Sequence, residues 1–127
     1  GLLSYGNDMN MNDTPLECGL DSFVSFNDEI NYLGKSVLKK QKEKGVTRSL
    51  VGLKLQINEI SLTKTLPVFY KDELIGDLRS ACYSPQFQCC LGIAMINVSH
   101  HNFTEPLNLN INEQEITTEI TSIPFTK

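Results

Sequence analysis

Tryptophan is absent from this sequence, histidine occurs twice, and acidic residues outnumber basic ones. The 127 residues carry 11 lysines and arginines against 15 aspartates and glutamates, which gives a formal net charge of −4. This balance argues against a nucleic-acid-binding protein, which needs a basic surface interleaved with aromatic side chains. No apolar run reaches the roughly 18 residues of a membrane span, and no secretion signal is expected. We therefore expect a cytoplasmic chain with neither nucleic acid nor membrane as a partner.

Metal-binding and disulfide patterns are also missing. The four cysteines, which include no CxxC pair, are Cys18, Cys82, Cys89 and Cys90. Without a secretion signal, reduced structural thiols are expected rather than disulfides. His100 and His101 are adjacent, which makes it difficult for both to bind one ion, so no metal site is predicted.

The most apolar stretch, residues 89–98, contains no charged residue and is typical of a central strand. A strand-like run at 74–82 precedes it, and Pro85 lies in the turn between the two. Gly76 and Gly92 predict a bulge, a bend or a close approach of two backbones. Alternation of apolar and polar residues predicts four more strands, at 48–60, 67–70, 107–111 and 115–123. The expected fold is mainly β, a six-stranded antiparallel barrel.

The first 47 residues predict a short α/β segment followed by a linker helix. Thr14 and Glu17 have the spacing of a capping box at the start of a short helix, although the Glu17 carboxylate could instead reach a ligand. Residues 22–26 are a brief strand candidate. The clearest helix spans residues 33–45, with lysines on most of its faces and Gly45 as a natural end.

An ordered set of motifs resembles the C-terminal part of the glycine-cleavage T-proteins, which are aminomethyltransferases, and of their folate-dependent relatives. The matching motifs are GLLSYGND at 1–8, TPLECGL at 14–20, YLGK at 32–35, RSLVGL at 48–53, IG at 75–76, Ser80, SP at 84–85, LGIAM at 91–95 and PF at 124–125. The resemblance implies three parts. Residues 1–31 would end the second, folate-binding domain, residues 32–47 would form the linker helix, and residues 48–127 would form the C-terminal barrel.

Within the family, the details resemble dimethylsulfoniopropionate demethylase more than a true T-protein. Cys18 stands where the second motif usually has alanine, and residues 79–85 depart from the Thr-Ser-Gly pattern of T-proteins. The first arginine is Arg48, so a folate-contacting arginine that T-proteins carry near Asn27 has no counterpart. The resemblance implies transfer of a methyl group from a sulfonium to tetrahydrofolate, whereas T-proteins transfer an aminomethyl carbon from a lipoyl arm.

The resemblance further implies that the catalytic aspartate and a folate-anchoring glutamate lie upstream, so no catalytic residue is assigned here. We expect a C-terminal fragment that walls the tetrahydrofolate site of a one-carbon transferase and is inactive alone. Its partners would be the missing N-terminal folate-binding domains, with a homodimer as a further possibility. The alternative is a stand-alone β-barrel used for binding or assembly, with no catalysis.

Two residues are candidate tetrahydrofolate contacts. Tyr5, in the Tyr-Gly loop of the family, offers a flat ring with a polar tip, although a tyrosine packed at a domain boundary would look the same. Arg79 could hold the glutamyl tail of folate or a substrate carboxylate. The alternative for Arg79 is a solvated or salt-bridged arginine of the barrel.

Overall fold

Strands dominate the computed structural model, which describes residues 2–98 and 105–126. His100 and His101 fall outside these residues. In chain order the elements are a 3-10 turn at Asp21–Phe23, helix α1 at Lys35–Lys44, and strands β1 at Arg48–Leu55, β2 at Leu66–Tyr70, β3 at Glu73–Ser84, β4 at Cys89–Asn97, β5 at Leu107–Ile111 and β6 at Gln114–Thr121.

The six strands pair antiparallel and close into a barrel in the order β1-β4-β3-β2-β5-β6. The predicted mainly-β fold with a six-stranded antiparallel barrel is thereby confirmed. Strand β4 lies between β1 and β3, and all its residues except Ile93 and Asn97 are buried, which explains its uninterrupted apolar sequence.

Alternating side chains of the strands fill the barrel interior. The fully buried residues with the largest side chains are Leu53, Leu55, Leu78, Met95, Ile96, Leu107, Leu109, Val68, Thr118 and Cys90. These side chains come from all six strands, so the barrel core lies within residues 48–121, while Leu16 and Cys18 are the buried apolar residues of the N-terminal segment.

The N-terminal third differs from the sequence prediction in two places. Residues 22–26 form no strand, and a 3-10 turn at Asp21–Phe23 begins there instead. A closed barrel leaves no strand edge with which this segment could pair. Residues 15–19 form turns rather than a helix, and Gly19, with φ of 69°, ends them.

Helix α1 begins two residues later than predicted and ends one residue earlier. It contains no buried residue, and the apolar side chains of Leu33 and Val37 are exposed. Within the described residues, no helix is long and apolar enough to cross a bilayer.

Two glycines allow neighbouring strands to approach closely, as the sequence predicts. A Cβ atom on Gly76 would lie 2.1 Å from the Met95 carbonyl oxygen and 2.8 Å from the Ile96 Cα, both backbone atoms. A Cβ atom on Gly92 would lie 2.5 Å from Cδ1 of Leu78, the end of a flexible side chain. Only at Gly76 would the backbone itself have to move.

We expect Gly76→Ala to lower the free energy of unfolding by about 3 kcal/mol, because the added methyl group meets rigid backbone. Gly92→Ala is the matched control, with an expected loss of about 1 kcal/mol, since the Leu78 side chain can rotate away. Denaturant unfolding of both variants measures the difference. Equal losses would show that the approach at Gly76 does not constrain the barrel.

Candidate functional site

A β-bulge in β3 directs one arginine away from the ladder and toward the N-terminal segment. Leu78 pairs with Ala94 and Ser80 pairs with Ile93, so Arg79 is the extra residue between them. A bulge re-aims the side chain of its extra residue. Leu78 therefore stays in the core while the side chain of Arg79, only 7% exposed, reaches residues 8–13.

Four hydrogen bonds hold the Arg79 guanidinium. Its Nη1 lies 2.6 Å from Oδ2 of Asp13 and its Nη2 lies 3.2 Å from Oδ1, a bidentate ion pair. Nη1 also donates to the Asp8 carbonyl at 2.9 Å, and Nε donates to Asp77 at 3.1 Å. Arg79 is thus salt-bridged within the chain, and its folate contact stays a prediction.

A second arginine, Arg48, lies at the start of β1 and makes a similar pair. Its Nε and Nη2 donate to the two carboxylate oxygens of Glu17 at 3.1 and 3.0 Å. Nη2 also reaches the Asn12 carbonyl at 3.1 Å and Oδ1 of Asp13 at 3.3 Å. Arg48 is 38% exposed, so this pair sits at the rim while the pair of Arg79 and Asp13 is buried.

Glu17 links the local turn to the barrel. The Thr14 amide donates to its carboxylate at 2.8 Å and the Glu17 amide donates to the Thr14 hydroxyl at 3.3 Å, which is the predicted capping box. The Leu50 amide of β1 donates to the Glu17 carbonyl at 2.8 Å. Glu17 therefore caps the turn and pairs with Arg48 at the same time.

Asp8 anchors the turn at residues 4–9. The Ser80 hydroxyl donates to its Oδ1, and the Ser4 amide donates to its Oδ2 at 2.7 Å. The Gly6 amide closes the turn on the Met9 carbonyl at 2.7 Å. We call this set of groups the arginine clasp, made of Arg48, Arg79, Asp8, Asp13, Glu17, Asp77 and Ser80.

The charges in the clasp are coupled. Burial alone would raise the pKa of the Asp13 carboxyl, but hydrogen bonds from Arg79 and the Asn10 amide, with both arginine charges, hold that pKa below its usual value. Burial would also raise the pKa of the Glu17 carboxyl, but hydrogen bonds from Arg48 and Thr14 outweigh that effect and lower the pKa. Both carboxylates therefore stay ionised at neutral pH, and they bind the two guanidinium groups.

Tyr5 lies at the outer side of the turn at residues 4–9, 67% exposed. The structure thus brings both predicted site residues to one region, since Arg79 bonds to the carbonyl of Asp8 three residues further along. The sequence did not single out Asp8, Asp13 or Arg48. The capping box was the one local signal, and it identified Glu17 without identifying its arginine.

The clasp offers binding chemistry but no nucleophile. All four cysteines are free, and burial, together with the negative charge of Asp13, raises the pKa of the Cys18 thiol beside the clasp. Among residues 2–98 and 105–126, no three histidine, cysteine, aspartate or glutamate side chains group as a metal ion would need. The exposed Tyr5 ring is the part of this region that a flat ligand could contact directly.

Residues 48–127 match the glycine cleavage T-protein C-terminal barrel domain. The chain belongs to this family. It is 35% identical over 126 residues to an aminomethyltransferase of Listeria welshimeri and 32% identical over 124 residues to one of Bacillus cereus. These alignments cover 99% and 97% of this chain but 34% and 33% of the relatives, so the chain spans about one third of their length.

The fold of this T-protein barrel is shared with a solved relative. The crystal structure of glycine cleavage system aminomethyltransferase T from Bartonella henselae superposes with a TM-score of 0.85. The match covers 98% of this chain and 35% of that one at 23% identity, so it shows the fold alone. The predicted folate contacts at Tyr5 and Arg79 stay predictions.

We expect Asp13→Asn to lower the free energy of unfolding of the T-protein barrel chain by about 3 kcal/mol, because it leaves the buried Arg79 charge with only the partly exposed Asp77 as an ionic partner. Asp28→Asn is the matched control. It breaks a 3.4 Å pair with Lys39 in which the Asp28 side chain is 87% exposed, and we expect a change below about 0.5 kcal/mol. Chemical denaturation of the three proteins measures this; equal effects would contradict a buried clasp.

Stability should also depend on pH through the clasp. The ordinary pKa values of Asp13 and Glu17 are 3.8 and 4.5, and both are lowered in the folded chain. Their contribution is therefore fully present above those values and is lost as the pH falls through the lower, folded values. Unfolding measured between pH 7 and pH 2.5 should give nearly constant stability above about pH 5 and a fall below it.

The stability of the double variant Asp13→Asn, Glu17→Gln should fall less steeply over the acidic part of that range. The stability of Asp28→Asn should fall as that of the parent chain does. Parallel curves for the double variant and the parent chain would mean that other carboxylates carry the acid sensitivity.

Proposed function

We propose that this chain is the C-terminal part of a tetrahydrofolate-dependent one-carbon transferase and forms one wall of its folate site. The observation that carries the proposal is the arginine clasp, which fixes residues 8–17 to strands β1 and β3. The clasp thus holds the turn that carries Tyr5 against strand β3. Its family membership and the names of its relatives support the same class of reaction.

Tyr5 is the residue that we expect to touch the cofactor. Its exposed ring can stack against the flat pterin or aminobenzoyl part of tetrahydrofolate, and its hydroxyl can hydrogen-bond at the rim. Arg79 is a weaker candidate for direct contact, because a ligand carboxylate would have to displace Asp13, Asp77 or the Asp8 carbonyl.

The chemistry of transfer would come from elsewhere in the protein. Tetrahydrofolate accepts the one-carbon unit on a ring nitrogen, and an upstream carboxylate would assist that step. The residues of this chain would hold and orient the cofactor and exclude water from one side of the site. We therefore expect the isolated 127 residues to be inactive and to bind tetrahydrofolate weakly or not at all.

Exposed apolar side chains in the first 40 residues support a covering partner. They are Leu2, Tyr5, Met11, Phe23, Ile30, Leu33 and Val37. We infer that some of these side chains lie together and form an interaction surface. We propose that the missing N-terminal folate-binding domains cover it in the full-length cytoplasmic enzyme, and that a homodimer forms over it in their absence. A stand-alone assembly module, the second candidate function, would use the same surface.

The one-carbon donor is a finer proposal. The run at 79–85, with a bulged arginine in place of the Thr-Ser-Gly pattern, favours a demethylase that takes a methyl group from dimethylsulfoniopropionate. The relatives are aminomethyltransferases by name, which favours an aminomethyl donor instead. Offering each donor to the full-length protein that carries this chain distinguishes them, by formation of 5-methyltetrahydrofolate or of methylenetetrahydrofolate.

In the full-length protein, Tyr5→Ala should raise the KM for tetrahydrofolate about tenfold with a smaller effect on kcat, because it removes a ring contact made before and during transfer. Leu74→Ala, an exposed apolar residue five positions before Arg79 on β3, is the matched control and should leave KM unchanged. Steady-state kinetics over a tetrahydrofolate series measures both. Equal KM values for Tyr5→Ala and the parent protein would remove Tyr5 from the folate site, and a full-length protein without tetrahydrofolate-dependent transfer would refute the proposed function.

A further inference from the structure

We propose that Arg79 and Ser80 are positioning residues, which act on the cofactor site by fixing the turn that presents Tyr5. The bulge in β3 holds Asp8 from two sides, through the Arg79 guanidinium on its carbonyl and the Ser80 hydroxyl on its carboxylate. The effect of Arg79 and Ser80 on the cofactor rests on the proposed function. Their effect on the turn follows from their hydrogen bonds to Asp8.

Asp8 is the point through which the barrel controls the turn. Its Oδ1 accepts from Ser80 on β3, its Oδ2 accepts from the Ser4 amide, and its carbonyl accepts from Arg79. Its own amide donates to the Ser4 carbonyl at 2.8 Å. Asp8 thus ties the start of the turn to its end and ties both to one strand of the barrel.

Nothing else in the turn supplies comparable anchoring. Among residues 2–12, all of which the structure describes, only Asp8 is buried. Gly6 has φ of 95°, a conformation that glycine adopts without strain. Because glycine has many other accessible conformations, fixing it in this one costs conformational entropy. A segment with so little buried apolar surface opens locally unless polar contacts hold it. The position of the Tyr5 ring is therefore set by Asp8 and its two partners on β3.

The hydrogen-bond inventory of Arg79 favours this indirect role over direct contact with a ligand. A guanidinium has five N–H donors, and four hydrogen bonds to Asp8, Asp13 and Asp77 use four of them. The side chain is only 7% exposed. A ligand anion would have to displace a partner that is already charged or tightly bonded, whereas Tyr5 is open to solvent a few residues away.

Hydrogen exchange of the 127-residue chain, read at individual amides by NMR, tests the positioning role. Ser80→Ala and Arg79→Met should each lower the protection of the Gly6 and Asp8 amides about tenfold, because hydrogen bonds to the anchor of their turn are lost. Core amides of β4 should keep their protection in Ser80→Ala, which leaves the ion pair with Asp13 intact. Ser80→Ala therefore carries the test even where Arg79→Met fails to fold.

Arg48→Met is the matched control. It removes the other clasp arginine, which contacts Asn12, Asp13 and Glu17 but makes no bond to Asp8. It should loosen the Thr14 and Glu17 amides, which bond within the capping box, and leave those of Gly6 and Asp8 protected. Unchanged exchange at Gly6 and Asp8 in Ser80→Ala would overturn the inference, as would equal loosening by Arg48→Met.

Kinetics of the full-length protein separates this inference from the proposed function. Ser80→Ala should raise the KM for tetrahydrofolate several-fold with kcat nearly unchanged, and it should have no further effect once Tyr5 is already alanine. A loosened turn with an unchanged KM would refute the positioning role of Ser80 at the cofactor site, while the structural coupling and the Tyr5→Ala test of the proposed function would both stand. An additive effect of Ser80→Ala and Tyr5→Ala would overturn positioning as the route by which Ser80 acts.

Discussion

The buried ion pair between Arg79 and Asp13 is the contact on which the architecture of this chain depends. It joins positions 66 residues apart, and its partners are 7% and 1% exposed. The barrel has an apolar core drawn from its own strands, but the first 31 residues have little buried surface of their own. The clasp fixes residues 4–17 of this segment to the barrel, and Leu16 and Cys18 are buried beside it, whereas the barrel is ordered by apolar burial.

A buried charge pair is a costly way to join two segments, and its geometry shows how the cost is offset. The pair is bidentate, and two further donors of Arg79 bind Asp77 and the Asp8 carbonyl. Arg48 adds a second positive charge beside Asp13. Such a pair fixes one arrangement of the two segments, because any other leaves a charge buried without a partner. The N-terminal segment is therefore held in one position against the barrel.

The barrel could be predicted from the sequence and the clasp could not, for a physical reason. The alternation of apolar and polar residues, and the apolar run at β4, reflect which side chains each strand buries. These local patterns predicted all six strands. The strand expected at 22–26 was wrong because pairing needs an open edge, which a closed barrel lacks. Salt bridges over 31 to 66 residues leave no periodic signal, so the sequence singled out Glu17, through its capping box, and Arg79, as a candidate ligand contact, but not the pairing of either residue. The resemblance directed attention to Tyr5 and Arg79 but not to the carboxylates between them.

A double-mutant cycle on Asp13→Asn and Arg79→Met tests the central claim most directly. If the clasp joins the two segments through this ion pair, the two substitutions together should cost less than the sum of their separate effects, with a coupling free energy of about 2 kcal/mol. Denaturant unfolding of the parent chain, both single variants and the double variant measures it. Additive effects, with a coupling near zero, would contradict the account.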